Sequence, residues 1–159
     1  MQRTWIIFCF ILIATVSLGL KLYTVDFTVL PGEDTFGYVL RGMAHNNGDF
    51  TEHPRKTLGW SIFISPFFHM TDSNNFLEYV SIARGLGLAI SIITIIPMYV
   101  LSRKFFDAKY SLCAVGLFAF EPHLNHVSGL GYTEPLYILA TILSLYFILN
   151  KNSNYSYLS

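Results

Sequence analysis

The sequence predicts an all-α membrane protein with about four transmembrane helices and a long extracytoplasmic first loop that carries short interfacial helices. Hydrophobic residues make up 53% of the 159-residue chain and charged residues only 13%, whereas ordinary soluble domains carry about 25% charged residues. The apolar residues also form long uninterrupted blocks rather than short periodic runs. Blocks of this kind are typical of segments that lie in lipid.

The first apolar block predicts a transmembrane helix over residues 4–22. It carries no charge from Trp5 to Leu20, and Lys21 follows it with a side chain long enough to reach the membrane interface. A cleaved signal peptide is the alternative, because the chain starts with a short basic stretch. We favour a retained anchor, since no clean small-residue cleavage motif occurs and further apolar segments follow.

Residues 23–79 form the long polar loop, which includes two structured segments. Apolar residues recur at helical spacing over 35–44, and this pattern predicts a short helix with Asp34 or Thr35 as its N-terminal cap. Residues 58–70 are apolar but too short to cross the hydrocarbon, and Pro66 interrupts them. We expect that segment to lie in the interface or against other helices.

Three further apolar blocks predict crossings over residues 80–102, 110–126 and 133–150. Pro97 lies within the second crossing and is expected to kink it. The third block is short, because Glu121-Pro122 interrupts it. Together the four crossings form a single membrane domain over residues 1–159.

The charges flanking these blocks predict the orientation. Most acidic residues fall on one side of the four crossings, and a basic group falls on the other: Arg3, Arg103, Lys104, Lys109 and Lys151. The positive-inside rule then places both termini in the cytoplasm and the long loop outside, in a multi-pass protein of the cell membrane. The lipid bilayer is thus a predicted partner. Ten basic residues balance ten acidic ones, so no net charge favours nucleic acid as a partner.

Polar residues near the outer surface are the candidate site. Glu33 and Asp34 follow a Pro-Gly turn, where a carboxylate can act as a general base. Taken alone, the pair favours the start of a helix instead, with Asp34 as the cap and Glu33 interacting with the helix dipole. Arg84 begins the second crossing and can pair with a carboxylate or a lipid phosphate. Its alternative role is that of an interfacial anchor.

The cysteines and histidines predict no metal site and no cofactor. Cys9 and Cys113 each lie inside an apolar block, where a thiol behaves as a small hydrophobic group. His123 and His126 have helical spacing, but Pro122 works against the regular geometry that a metal site needs. The chain also contains no GxGxxG, P-loop, CxxC or HExxH motif.

Several short motifs follow the first helix in a fixed order. In the loop they are Glu33-Asp34-Thr35-Phe36-Gly37-Tyr38, Arg41-Gly42-Met43-Ala44, His53-Pro54 and Gly59-Trp60. Further on come Arg84, Arg103-Lys104-Phe105-Phe106, Pro122 and Thr133-Glu134. This order resembles the GT-C glycosyltransferases, specifically the relatives of dolichyl-phosphate-mannose protein mannosyltransferases and aminoarabinose transferases (glycosyltransferase family 39-like).

The resemblance implies transfer of a sugar from a polyprenyl-phosphate donor to a protein or lipid acceptor on the extracytoplasmic face. It implies that Asp34, or else Glu33, is the catalytic base, and that Arg84, His53 and Glu134 bind substrate. Members of that family are several times longer, so we expect this chain to be an N-terminal part. The alternative is a non-catalytic truncated membrane protein, or a partner subunit of a membrane complex.

Overall fold

A computed structural model describes residues 2–51, 58–71 and 75–150, and all regular structure within these ranges is helical. A short 3-10 helix, Ser65–Met70, follows α3. The α-helices are α1 (Gln2–Thr24), α2 (Glu33–Asn46), α3 (Leu58–Ile64), α4 (Phe76–Ile93), α5 (Ile95–Ser102), α6 (Ala108–Ala119), α7 (Pro122–Ser128) and α8 (Glu134–Ile148). The prediction of an all-α fold is therefore confirmed for the described residues.

Two helical segments are long and apolar enough to cross a membrane, Thr4–Thr24 and Phe76–Ser102. The second combines α4 and α5, which are separated only at Thr94. Only 11% of the apolar window in the first segment is buried, against 39% in the second. An apolar helix with so little burial needs lipid or another protein along its length.

The other two apolar helices, α6 and α8, are shorter. They have 12 and 15 residues, which at the α-helical rise gives about 18 and 22 Å against a hydrocarbon core of about 30 Å. The predicted third segment, 110–126, is divided: α6 ends at Ala119 and α7 starts at Pro122. Pro122 has no N–H to continue the α6 hydrogen-bond ladder, whereas it suits the first turn of a new helix.

Helix α2 is longer than the sequence predicts. Gly32 is its N-cap in an extended conformation, and no side chain caps it. The prediction that Asp34 or Thr35 is the cap is therefore wrong. The Phe36 N–H bonds to the Gly32 carbonyl at 3.0 Å, so the helix has already begun when the chain reaches the acidic pair.

The segment after α1 is not a loose loop, because much of it packs onto α4. Seven buried side chains of α2, α3, the 3-10 helix and α4 form one apolar core: Val39, Trp60, Ile64, Phe68, Val80, Ala83 and Ile90. Gly42 lets α2 approach closely, since a Cβ there would lie 2.7 Å from the Phe68 ring. A second core joins Ile95, Val115 and Ala119.

Candidate functional site

Several elements meet at the turn that joins α7 to α8, residues 129–133. The Thr35 hydroxyl donates to the Leu130 carbonyl at 2.6 Å, and the Trp60 indole N–H donates to the Gly131 carbonyl at 2.9 Å. Gly131 has a φ of 78°, a conformation that glycine adopts without strain. We call this turn, with the side chains that bind it and the Arg84 region beside it, the junction.

Arg84 is buried at the junction, with only 4% of its surface exposed. Its Nη1 donates to the carbonyls of Asp26 and Val29 at 2.8 and 3.1 Å. These bonds fix the irregular segment between α1 and α2. The Arg84 Nε is also buried, and it has no hydrogen-bond partner among the described residues. Arg84 is therefore held inside the protein and does not reach out to an interface.

A cavity of about 160 Å³ lies beside this guanidinium. One wall comes from the end of α1 and the segment after it, and the other from α4, α7 and the turn. Arg84, Asp26 and His126 supply its charged or titratable groups. Drug-sized ligands occupy cavities of about 300–1,000 Å³, so this cavity suits a smaller group such as a single phosphate.

Asp26 carries a negative charge at the mouth of the cavity. The Thr28 hydroxyl and backbone N–H donate to its carboxylate at 2.6 and 2.8 Å. These bonds lower the pKa of Asp26 below its ordinary value of 3.8, and the nearby Arg84 charge acts in the same direction. Asp26 is therefore ionised at neutral pH, and it partly offsets the positive charge in the cavity.

The predicted catalytic pair lies at the same end of the molecule. Glu33 and Asp34 occupy the first turn of α2 and are exposed, in a position where the helix dipole favours negative charge. The next residue, Thr35, bonds to the cavity-lining Leu130. Neither carboxylate is among the described residues that line the cavity.

Of the other two predicted substrate-binding residues, the structure describes the side chain of Glu134 but not that of His53. Glu134 begins α8 directly after the turn, and its side chain is exposed. It thus lies near the junction in sequence and faces solvent. His53 lies outside the described residues.

A further polar residue at this end, Lys21, was assigned by the sequence to the membrane interface. That interpretation is wrong, because Lys21 is only 2% exposed. Its Nζ donates to the Asn125 side-chain oxygen and, at 3.3 Å, to the Ser128 hydroxyl. One turn earlier, the Ser17 hydroxyl donates to the Ala119 carbonyl at 2.9 Å. Ser17 and Lys21 are four residues apart and therefore lie on the same face of α1. This spacing is the sequence signal from which their shared polar contacts could have been predicted.

The junction thus combines a buried guanidinium, a small cavity and exposed carboxylates on a helix start. Such a set can hold an anionic group at the guanidinium and can accept a proton at a carboxylate. Comparisons with protein-family models, with curated proteins and with solved structures found no match.

Proposed function

We propose that this chain belongs to a glycosyltransferase that moves a sugar from a polyprenyl-phosphate donor to a protein or lipid acceptor outside the cell membrane. The observation that carries the proposal is the buried Arg84 beside a phosphate-sized cavity, at the end of the bundle where α2 begins with Glu33 and Asp34. A phosphate donor calls for a fixed cation, and a hydroxyl acceptor calls for a base. The ordered resemblance to GT-C enzymes supports the same reading.

The proposal includes four membrane crossings with cytoplasmic termini. In this topology α1, α4–α5, α6–α7 and α8 cross, and the junction faces outwards. Arg103 and Lys104 directly follow the end of α5, which is about 27 Å along the helix from Arg84 by the α-helical rise, and Lys109 is in the first turn of α6. Basic residues favour the cytoplasmic side, so their position supports this orientation.

In the proposed reaction Asp34, or else Glu33, takes the proton of the acceptor hydroxyl. The acceptor oxygen forms a bond to the anomeric carbon while the bond from that carbon to the phosphate oxygen breaks, which inverts the carbon. Polyprenyl phosphate leaves with the bonding electrons, and the Arg84 guanidinium stabilises its negative charge. The buried Arg84 Nε has no hydrogen-bond partner among the described residues, which leaves this donor for the phosphate.

One observation favours a second candidate, a non-catalytic partner subunit of a membrane complex. Two of the buried cations donate to protein groups, Arg84 to two carbonyls and Lys21 to Asn125 and Ser128. Such bonds are also what a purely structural role requires. In this alternative the acidic pair serves only to start α2.

The two candidates differ in a transfer assay. Native membranes that overproduce the full-length protein to which the chain is proposed to belong are supplied with a radiolabelled polyprenyl-phosphate sugar, and label in protein and lipid is counted. We expect the double variant Asp34→Asn, Glu33→Gln to lose about 10²- to 10⁴-fold in rate, the usual contribution of a general base.

Asp49→Asn is the matched control, because Asp49 is another exposed carboxylate of the same segment, and it should keep the parental rate. Full activity in the double variant would exclude the acidic pair as the base. A full-length parent protein that folds but adds no label above background would favour the partner-subunit candidate.

A further inference from the structure

The end of the molecule opposite the junction carries an apolar groove. It has a volume of about 480 Å³, within the range of small-molecule sites, and its walls are almost entirely apolar. Its lining from α5 includes Ile96, Pro97 and Val100, and its lining from α8 includes Leu143, Tyr146 and Phe147. Between Ile93, its first residue, and Val100 the groove runs about 10 Å along the helix, so its shape suits an extended hydrocarbon chain.

A lysine lies at the end of this groove. The Lys104 Nζ is 5.3 Å from the centre of the Tyr146 ring, a distance at which the ring face attracts a cation. Because Tyr146 also lines the groove, the ammonium lies next to one of its walls. Lys104 is itself exposed, so its remaining donors are open to a ligand.

The surroundings of Lys104 have the composition of a membrane interface. Arg103 and Lys109 are exposed, and Asp107 is the one acidic residue between them. The aromatic side chains of Phe105, Phe106 and Tyr110 are exposed as well. Basic residues with aromatic neighbours are typical of the level of lipid head groups, and the basic ones attract anionic lipids.

We propose that this end binds an anionic phospholipid, with one acyl chain in the α5–α8 groove and the head-group phosphate at Lys104. The inference depends on the proposed membrane crossing by α4–α5 and not on sugar transfer. An apolar partner helix would fill the groove but would leave the basic cluster unneutralised. One phospholipid molecule can fill the groove with an acyl chain and pair its phosphate with the basic cluster.

The head-group part is tested by native mass spectrometry of the whole chain in detergent, with phosphatidylglycerol and phosphatidylcholine in competition. We expect the parent to retain phosphatidylglycerol about fivefold better, the usual effect of one lysine near a lipid surface. Lys104→Gln should reduce this preference to near parity. Lys109→Gln removes the same charge without removing the cation over Tyr146, and should keep the preference within about twofold of the parental value.

Equal retention of the two lipids by the parent, or an unchanged preference in Lys104→Gln, would overturn the proposal. The groove part is tested with Leu143→Trp, which fills the groove and should reduce retention of both lipids. A stable dimer of the parent that dissociates in Leu143→Trp would instead show a second copy in the groove, and would also overturn it.

A second measurement covers the case that Leu143→Trp does not fold. In vesicles, the Tyr146→Trp variant should be quenched more strongly by phosphatidylglycerol with brominated acyl chains than by brominated phosphatidylcholine. Equal quenching would contradict the proposal. Asp34→Asn should leave both lipid measurements unchanged, so that failure of the lipid site and failure of the catalytic proposal can be told apart.

Discussion

The junction and the groove end are both built from apolar helices, but they are held together differently. At the junction, buried polar side chains of Thr35, Trp60 and Arg84 donate to backbone carbonyls of distant segments. At the groove end the cations are exposed, and the walls of the groove are almost entirely apolar. Directional bonds fix one geometry, whereas apolar contacts tolerate repacking. This difference is the reason that we propose a reacting site at the junction and a lipid chain at the groove.

The largest expected effect that tests this comparison is that of Arg84→Gln. The shorter amide cannot reach both the Asp26 and the Val29 carbonyls, so the free energy of unfolding should fall by about 3 kcal/mol. The free energy of unfolding is measured by titrating a denaturing detergent into mild micelles and monitoring tryptophan fluorescence. Arg103→Gln is the control, because exposed Arg103 bonds only the nearby Phe106 carbonyl and should change stability by less than about 0.5 kcal/mol. Equal losses of stability in Arg84→Gln and Arg103→Gln would contradict the claim that polar bonds hold the junction together more strongly than the groove end.

A pair of glycines in α4 tests how closely the junction helices approach. A Cβ on Gly87 would lie 2.6 Å from the Ser128 carbonyl oxygen, whereas a Cβ on Gly85 would meet no atom within 4 Å. Gly87→Ala should therefore destabilise the protein by about 2 kcal/mol through overpacking. Gly85→Ala should be neutral, or stabilising by about 0.5 kcal/mol. The same unfolding titration measures both, and a tolerated Gly87→Ala would contradict the close α4–α7 contact.

Two buried threonines sharpen the comparison further. The Thr35 hydroxyl bonds across the junction to Leu130, whereas the Thr94 hydroxyl bonds the Ile90 carbonyl of the preceding helical turn. Thr35→Val should cost about 1 kcal/mol of unfolding free energy, because it removes a link between separate segments. In Thr94→Val the Ile90 carbonyl still accepts from the Thr94 N–H, so the loss should be smaller. A larger loss of unfolding free energy in Thr94→Val than in Thr35→Val would show that the Thr94–Ile90 bond contributes more to stability than the bond across the junction.

The smallest expected effect concerns pH. Hydrogen bonds from Thr28 lower the pKa of Asp26, so Asp26 stabilises the fold above its unfolded pKa of about 3.9 and loses that contribution as pH falls through the folded value. On acidification from about pH 5 to about pH 3, Asp26→Asn should lose less stability than the parent. Thr28→Ala should raise the pKa of Asp26, measured by NMR titration of the carboxyl carbon. An unchanged pKa in that variant, which keeps the Thr28 backbone N–H, would show that the Thr28 hydroxyl is not the cause.

The sequence predicts the order of the helices well, because that order depends on local patterns. Apolar blocks and helical spacing indicate α1, α2, α4–α5 and α8, and Pro122 divides α6 from α7 where a proline must. The start of α2 was missed because its N-cap, Gly32, uses no side chain. Caps of that kind leave no polar residue for a sequence pattern to reveal.

The candidate site could be predicted only in part, and the reason is the range of its contacts. Arg84 stands out as a charge at the start of an apolar block, and so do the acids at Glu33 and Asp34. The partners of Arg84 are backbone carbonyls at Asp26 and Val29, and every residue type carries such a group. The sequence therefore indicates that Arg84 is a candidate site residue, but it cannot indicate which carbonyl groups Arg84 binds.

The bond from Lys21 to Asn125 has a consequence for the order of events during synthesis. The two residues are 104 positions apart, and at about 5–20 residues per second the ribosome needs roughly 5–20 s to make the intervening chain. Throughout that interval the Lys21 ammonium has neither Asn125 nor Ser128 to bind. The buried position of Lys21, which depends on these two partners, can be completed only when α7 is present. These contacts of α1 therefore form only after α7 has been made.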